Sequence, residues 1–151
     1  MRIVSEIAAA IRASERVLIV SHARPDGDAV GSQLGLALAL EQMGKAVEMV
    51  SADLYPPNYR GLPAAERIRI TDQAPPGQDC LIVLESANFE RTGIAGLEGR
   101  PVVINIDHHP VNDHYGTLNW VDPEFSSVAE MVYQILLALP LTITPPIAVN
   151  L

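Results

Sequence analysis

Apolar positions along this chain fall into two rhythms. Short, largely apolar runs occur at Val17 to Ser21, Ala46 to Val50, Leu81 to Glu85 and Val102 to Ile106, each bounded by turn formers. Runs of this kind, β-branched or leucine-rich, predict strands buried on both faces, the habit of a parallel sheet. Between the first two, DAVGSQLGLALALEQMGK changes period: Val30, Leu34 and Leu38, with Leu36, Leu40 and Met43, recur at helical spacing. Asp28 is the N-cap candidate, and Gly44 followed by Lys45 closes the helix. Strand, helix, strand is a βαβ unit, which requires parallel pairing. MRIVSEIAAAIRASERV reads as an amphipathic amino-terminal helix. GTLNWV, from Gly116 to Val121, predicts a further strand, and Ser127 to Leu139 a helix with Ser126 as N-cap and Pro140 as its stop. TITPPIAVNL predicts a helix starting at Thr144 with prolines in its first turn. DLYPPNYRGLPAAE and QAPPGQD supply loop and turn signals. The pattern as a whole predicts an α/β fold: a three-layer, Rossmann-like domain with a mainly parallel sheet of about five strands flanked by helices.

Composition narrows this picture. The chain has 151 residues, 48% of them apolar and 5% aromatic. It therefore reads as one domain, residues 1–151, with an aliphatic, alanine-rich core. Its formal net charge is −8, which argues against the basic stripe that a long nucleic acid requires. A small phosphate-bearing substrate stays compatible if bound cations reverse the local sign. Cys80 is the single cysteine, so no internal disulfide can form, and a reducing cytoplasmic setting is expected. Glu6, Arg12, Glu15 and Arg16 interrupt the first apolar stretch, which argues against a signal peptide. No stretch is long and apolar enough to predict a membrane span. No GxGxxG follows the first strand, which speaks against a dinucleotide-binding domain.

The candidate chemistry lies at strand ends, where open parallel sheets collect their ligands. The first predicted strand ends at His22, Asp26 and Asp28, in SHARPDGDAVGS; the third ends at Glu85; the fourth at Asp107, His108 and His109, in INIDHHPVND. The second offers Asp53, which the pattern does not require. Carboxylate oxygen with imidazole nitrogen suits Mn²⁺, Mg²⁺, Zn²⁺ or Fe²⁺, and the lack of thiolates argues against a structural zinc site. With Gly27 allowing a tight turn, Asp26 and Asp28 can point at two different ions. A carboxylate at the third strand end could bridge a pair about 3.5–4 Å apart. Each residue also has an ordinary reading. Asp28 can be a helix cap, RPDGD a turn, His22 and Glu85 strand termini, and adjacent residues of the Asp107–His109 run need not face one point. Taken together on one sheet edge, they favour a metal site. His114 is expected at the surface or in support.

H-x-x-x-D-x-D before a small-residue helix, an acid after LIVL and DHH after VVINI resemble the DHH phosphoesterase superfamily. SHARPDGDAVGSQLGLALAL and INIDHHPVNDHYGTLNWVDPEFSSVAEMVY resemble its branch of bifunctional oligoribonucleases and pAp phosphatases, from about Val17 to the end. The resemblance implies a RecJ-like catalytic domain in which His22 and Asp26 hold one metal, Asp28 and His108 the second, and Glu85 stands at the bridging position. It implies that His109 faces the substrate phosphate and that Asp107 supports the site by orienting its neighbours. Ser126 and Ser127 could offer hydroxyl or N–H groups to an anion beside their capping role, and Arg91 is either a phosphate contact or, as the favoured reading, a partner for nearby carboxylates. The implied reaction is hydrolysis of short oligoribonucleotides or 3′-phosphoadenosine 5′-phosphate by a water activated by two Mn²⁺ ions, with Mg²⁺ as the alternative; a homodimer is compatible. Two departures stand out. Glu85 is one methylene longer than the family's usual aspartate, so bridging requires backbone or metals to shift. The family's next aspartate segment, expected just after IAVNL, and a substrate-gripping second domain are absent, so the chain reads as an amino-terminal fragment of weak turnover. The alternatives are a cyclic-dinucleotide phosphodiesterase and a nucleotide-binding module with an impaired metal site.

Overall fold

The computed structural model describes all residues, Met1–Leu151. Six strands form one sheet: β1 (Arg16–Ser21), β2 (Ala46–Ser51), β3 (Arg69–Ile70), β4 (Cys80–Leu84), β5 (Val102–Asp107) and β6 (Leu118–Val121). Their spatial order is β3-β2-β1-β4-β5-β6, and every pairing is parallel. The sequence pattern predicts about five strands; β3 is the addition. It has two residues, both exposed, so it carries no hydrophobic run that could announce it.

Four helices accompany the sheet: α1 (Arg2–Ala13), α2 (Gly27–Gln42), α3 (Val128–Leu137) and α4 (Pro145–Asn150). Alternate residues of the central strands serve two cores. Val17, Ile19, Ile82, Leu84, Ile104 and Ile106 join a cluster of 29 buried residues with side chains from all four helices. Leu18, Val20, Leu81, Val83 and Val103 face a smaller cluster completed by Ile94 and Leu97 from the β4–β5 connection. α2 is buried on nearly every side, which its dense apolar sequence requires. Its Gly31 and Gly35, one turn apart, admit α4: a Cβ on Gly31 would collide with the Asn150 carbonyl, and one on Gly35 would meet the Leu151 side chain at 2.7 Å. No helix is long and apolar enough to cross a membrane.

Two caps differ from the sequence expectation. Asp26, not Asp28, caps α2, with its carboxylate accepting from the Ala29 N–H at 2.9 Å. The turn before α2 is tighter than the apolar spacing shows, because Gly27 already belongs to the helix. At α3 the cap is Ser127, whose hydroxyl accepts from the Glu130 N–H at 3.1 Å; Ser126 instead donates its hydroxyl to the Glu130 carboxylate at 2.7 Å. One property of the sheet places the site. From β1 the chain builds outward to β2 and β3, then returns so that β4 pairs with the opposite side of β1. Strand order reverses between β1 and β4, and a crevice opens at the carboxyl ends of strands where that happens.

Candidate metal centre

In the parallel register, Ser21 pairs with Leu84 and Leu84 with Ile106. The next residues along β1 and β4, His22 and Glu85, therefore emerge side by side at the switch point, with the end of β5 alongside. Glu85 donates its N–H to the Ile106 carbonyl at 2.9 Å and then adopts a left-handed backbone, φ 59°. That conformation costs an L-residue about 1–2 kcal/mol, and it ends the strand with the carboxylate set between His22 and His108.

The result is a row of alternating acids and imidazoles. His22 Nε2 lies 3.8 Å from Asp26 Oδ1 and 3.6 Å from Glu85 Oε2. His108 Nε2 lies 3.4 Å from Glu85 Oε1 and 3.8 Å from Asp28 Oδ2. Glu85 thus stands between two imidazoles with one oxygen toward each. Its residue is 5% exposed, and Oε2 has no hydrogen-bond partner, although buried polar atoms are normally satisfied. Ligand atoms of His22, Asp26 and Glu85 lie within 4.8 Å of one another, as do those of Glu85, His108 and His109.

The imidazoles are oriented for this arrangement. His22 Nδ1 contacts the Ala23 carbonyl at 2.7 Å, and His108 Nδ1 contacts the Phe125 carbonyl at 3.2 Å. A carbonyl can only accept, so Nδ1 carries the proton and Nε2 faces the acids. His109 points differently: its Nδ1 donates to Asp107 Oδ1 at 2.7 Å, its ring is half exposed, and Asp107 is fully buried. Asp107 Oδ2 accepts from Asn112 Nδ2 at 2.8 Å, and Asn112 in turn bonds the buried Asn105 at 2.7 Å. Sequence reasoning missed Asn112; its place shortly after the DHH run was the available signal.

Charge in this row is unbalanced toward the acids. Contact with Glu85 raises His22 to about 8, with burial opposing and the Ala23 carbonyl and Asp26 adding to the rise. Burial pushes the Glu85 carboxyl up, opposed by His22 and assisted by Asp28 and Asp26. His108 is raised as well: burial is the strongest influence and opposes the shift, but the Phe125 carbonyl, Glu85 and Asp28 outweigh it.

Asp28 is held from a distance. Its Oδ2 accepts from the Val128 N–H and its Oδ1 from the Ala129 N–H, both at 2.8 Å, and Ser32 donates its hydroxyl to Oδ1 at 3.1 Å. The free N–H groups at the start of α3 are thus turned onto Asp28, while the Ser126 and Ser127 hydroxyls serve the helix end. Asp53 accepts the Arg24 N–H at 2.8 Å and steadies the loop between His22 and Asp26. Arg91 does not fulfil the expectation of a carboxylate partner, since only its main chain engages: its carbonyl accepts from Ala23 at 2.7 Å, and its N–H bonds Asn88 at 3.0 Å. Its exposed guanidinium forms no ion pair. His114 is exposed and folds back on the Asn112 carbonyl. Cys80 is buried, which pushes its thiol up to about 11 and leaves it unreactive.

The family described as DHH family, N-terminal domain, matches residues 16–148. The bifunctional oligoribonuclease and PAP phosphatase NrnA of Thermus thermophilus is 41% identical over 134 residues, which is 87% of this chain and 39% of that protein. The Bacillus subtilis protein of the same name is 32% identical over 133 residues, 88% of this chain and 42% of its own length. This chain therefore spans less than half the length of these relatives. Among solved structures, an exopolyphosphatase-related protein from Bacteroides fragilis superposes with a TM-score of 0.81 at 23% identity, covering 92% of this chain and 44% of that one. Exonuclease RecJ bound to manganese superposes with a TM-score of 0.57 at 16% identity, covering 97% and 42%. Both share the fold.

Proposed function

This chain belongs to the DHH family, and on that premise we propose that it is the cation-binding domain of a phosphoester hydrolase acting on short oligoribonucleotides and 3′-phosphoadenosine 5′-phosphate. The observation that carries this reading is the Glu85 carboxylate, buried between two imidazoles with one oxygen unpartnered. The donor set fits divalent cations: carboxylate oxygen, imidazole Nε2 and no thiolate. Donors around an ion with bonds of about 2 Å sit roughly 3–4 Å apart, close to the spacings of this row. His22 and Asp26 would hold one ion, Asp28 and His108 the other, with Glu85 shared. Mn²⁺ is the proposed cation, with Mg²⁺ as the substitute.

Bound divalent cations supply a lowered pKa for water and neutralisation of phosphoryl charge. The chain's own groups do the rest. The raised His22 and His108 register a negative field that draws cations and, without them, repels phosphate. Asp107 accepts the Nδ1–H of His109 and aims the exposed Nε2 outward; the imidazolium form, with a proton on both nitrogens, would donate from Nε2 to a phosphoryl oxygen and stabilise charge in the transition state. Short substrates fit better than long ones, because the net charge of −8 offers no track for a polynucleotide. A single buried cysteine suits a cytoplasmic setting.

Titration of Mn²⁺ into the metal-free chain by calorimetry tests the centre, and release of nucleotide from a short RNA and of phosphate from 3′-phosphoadenosine 5′-phosphate tests the reaction. Two binding events are expected in this chain, and Mn²⁺-dependent hydrolysis of either substrate in the protein that carries this domain, with weak turnover by the chain alone. No cation binding would overturn the reading. Linearisation of a cyclic dinucleotide without action on short RNA would replace the substrate class.

A further inference from the structure

The entry to α3 touches one half of this centre at three points and the other half at none. Phe125 offers its carbonyl to His108 Nδ1 at 3.2 Å, and Val128 and Ala129 offer their N–H groups to the two oxygens of Asp28 at 2.8 Å each. We infer that the segment Phe125–Ala129 is a positioning element for the Asp28/His108 cation position: its main chain orients both ligands of that position and leaves His22 and Asp26 unaffected. This rests on the reading of the centre as a cation site and adds the device that sets its second position.

Three features support it. The two oxygens of Asp28 are each engaged by a separate, sequential N–H, so both the rotation and the reach of the carboxylate are fixed by where α3 begins. The Phe125 carbonyl selects the His108 tautomer with Nε2 free, and partners of this kind routinely govern ligand orientation and affinity. The other position is organised locally instead, with His22 on the neighbouring Ala23 carbonyl and Asp26 on Ala29, three residues on. A displacement of the first turn of α3 should therefore weaken one cation position and spare the other. The contacts are all main-chain, which is why no side chain of the segment announces the role.

Val128→Pro isolates the claim. Val128 is the first residue of α3, a position where proline is tolerated, and Ser127 already has the extended backbone, ψ 159°, that a following proline favours. The change deletes one N–H from Asp28 while retaining an apolar side chain. Tyr133→Ala, on the exposed face further along α3, keeps every N–H of the entry and serves as the comparison, and Ser127→Ala loosens the turn through loss of its cap. Mn²⁺ calorimetry on each folded variant, with ring resonances of the histidines followed by NMR in the metal-free state, gives the readout. The expected result is roughly a 10–100-fold loss at one binding event for Val128→Pro, a smaller loss at the same event for Ser127→Ala and none for Tyr133→Ala. His108 resonances should move and His22 resonances should not. Equal weakening of both events, or an unchanged profile in Val128→Pro and Ser127→Ala, overturns the inference while leaving the metal centre standing. If Val128→Pro does not fold, the split in Ser127→Ala decides. No binding by the unaltered chain overturns both.

Discussion

His22 and Asp26 are fixed by groups one and three residues away, on Ala23 and Ala29. Asp28 and His108 are fixed chiefly by groups 100, 101 and 17 residues away, on Val128, Ala129 and Phe125, with the Ser32 hydroxyl adding one local bond to Asp28. The two halves of the centre use the same chemistry, acid and imidazole, but one is a product of a single turn and the other of tertiary docking. A turn between a strand and a helix holds its geometry as long as the sheet is formed. A carboxylate shared between two helices holds its geometry only while those helices keep their distance. The first half is thus the stable template, and the second is the part that mutation, temperature or a partner domain can adjust. Glu85 joins them, and its burial with an unpartnered oxygen is the stress that a cation would relieve.

The largest effect should come from removing that joint. Glu85→Gln keeps the size of the side chain and withdraws the charge common to both halves. Both Mn²⁺ binding events are expected to disappear from the calorimetric trace, and hydrolysis in the protein that carries this domain should fall about a thousandfold, the scale on which electrostatic stabilisation of a transition state operates. Retention of one full-strength event would show that the halves are independent and that Glu85 belongs to only one of them.

A second comparison separates the halves without any metal. Asp26→Ala removes a helix cap, which costs about 1 kcal/mol. Asp28→Ala removes the acceptor of two main-chain N–H groups and a serine hydroxyl, and strands donors of α3 in a part-buried position; bonds to a charged group are worth roughly 1.5–3 kcal/mol each, with only part of the sum recovered in practice. Urea unfolding in chelator should therefore show Asp28→Ala costing about 3 kcal/mol and Asp26→Ala about a third of that. The opposite order would mean that the link between α2 and α3 contributes little to the fold.

The same distinction explains what the sequence discloses. The runs ending at Ser21, Glu85 and Ile106 are long and apolar enough to be strands, and their ends place the five candidate metal ligands, His22, Asp26, Asp28, Glu85 and His108, on one edge without any knowledge of strand order. The bond that ties Asp28 to α3 is invisible at that level, since it is made by main-chain groups of Val128 and Ala129 whose side chains point to the core. The capping exchange at α2 has a related cause. Apolar periodicity begins at Ala29 and Val30, so it leaves open whether Asp26 or Asp28 closes the first turn, and it was α3 that engaged the second. Asn112 escaped notice because its value lies in what it bonds, the buried Asp107 and Asn105, and not in a ligand-type side chain. The left-handed backbone of Glu85 could not be foreseen from a residue type that rarely adopts it.

The smallest effect, and the one that resolves the halves most finely, is in proton affinity. His22 is raised to about 8, first through Glu85. A histidine whose folded value lies above its unfolded one adds stability that is complete below about pH 6.5 and fades as pH climbs through about 8. Across that window the metal-free chain should lose on the order of 1–2 kcal/mol, while Mn²⁺ affinity rises, because the ion and the proton compete for His22 Nε2. His108 is raised by a different set of groups: against burial, the strongest influence, the Phe125 carbonyl is the largest single raising contact, and Glu85 and Asp28 add to it. In Glu85→Gln the two imidazoles should therefore part company. NMR titration of the metal-free variant should find His22 returned toward an ordinary histidine value and its stability window closed, with His108, which keeps its Phe125 and Asp28 contacts, moving less. Parallel shifts of both rings would show that a single carboxylate governs the whole row and that the division into a local and a docked half does not extend to its protons.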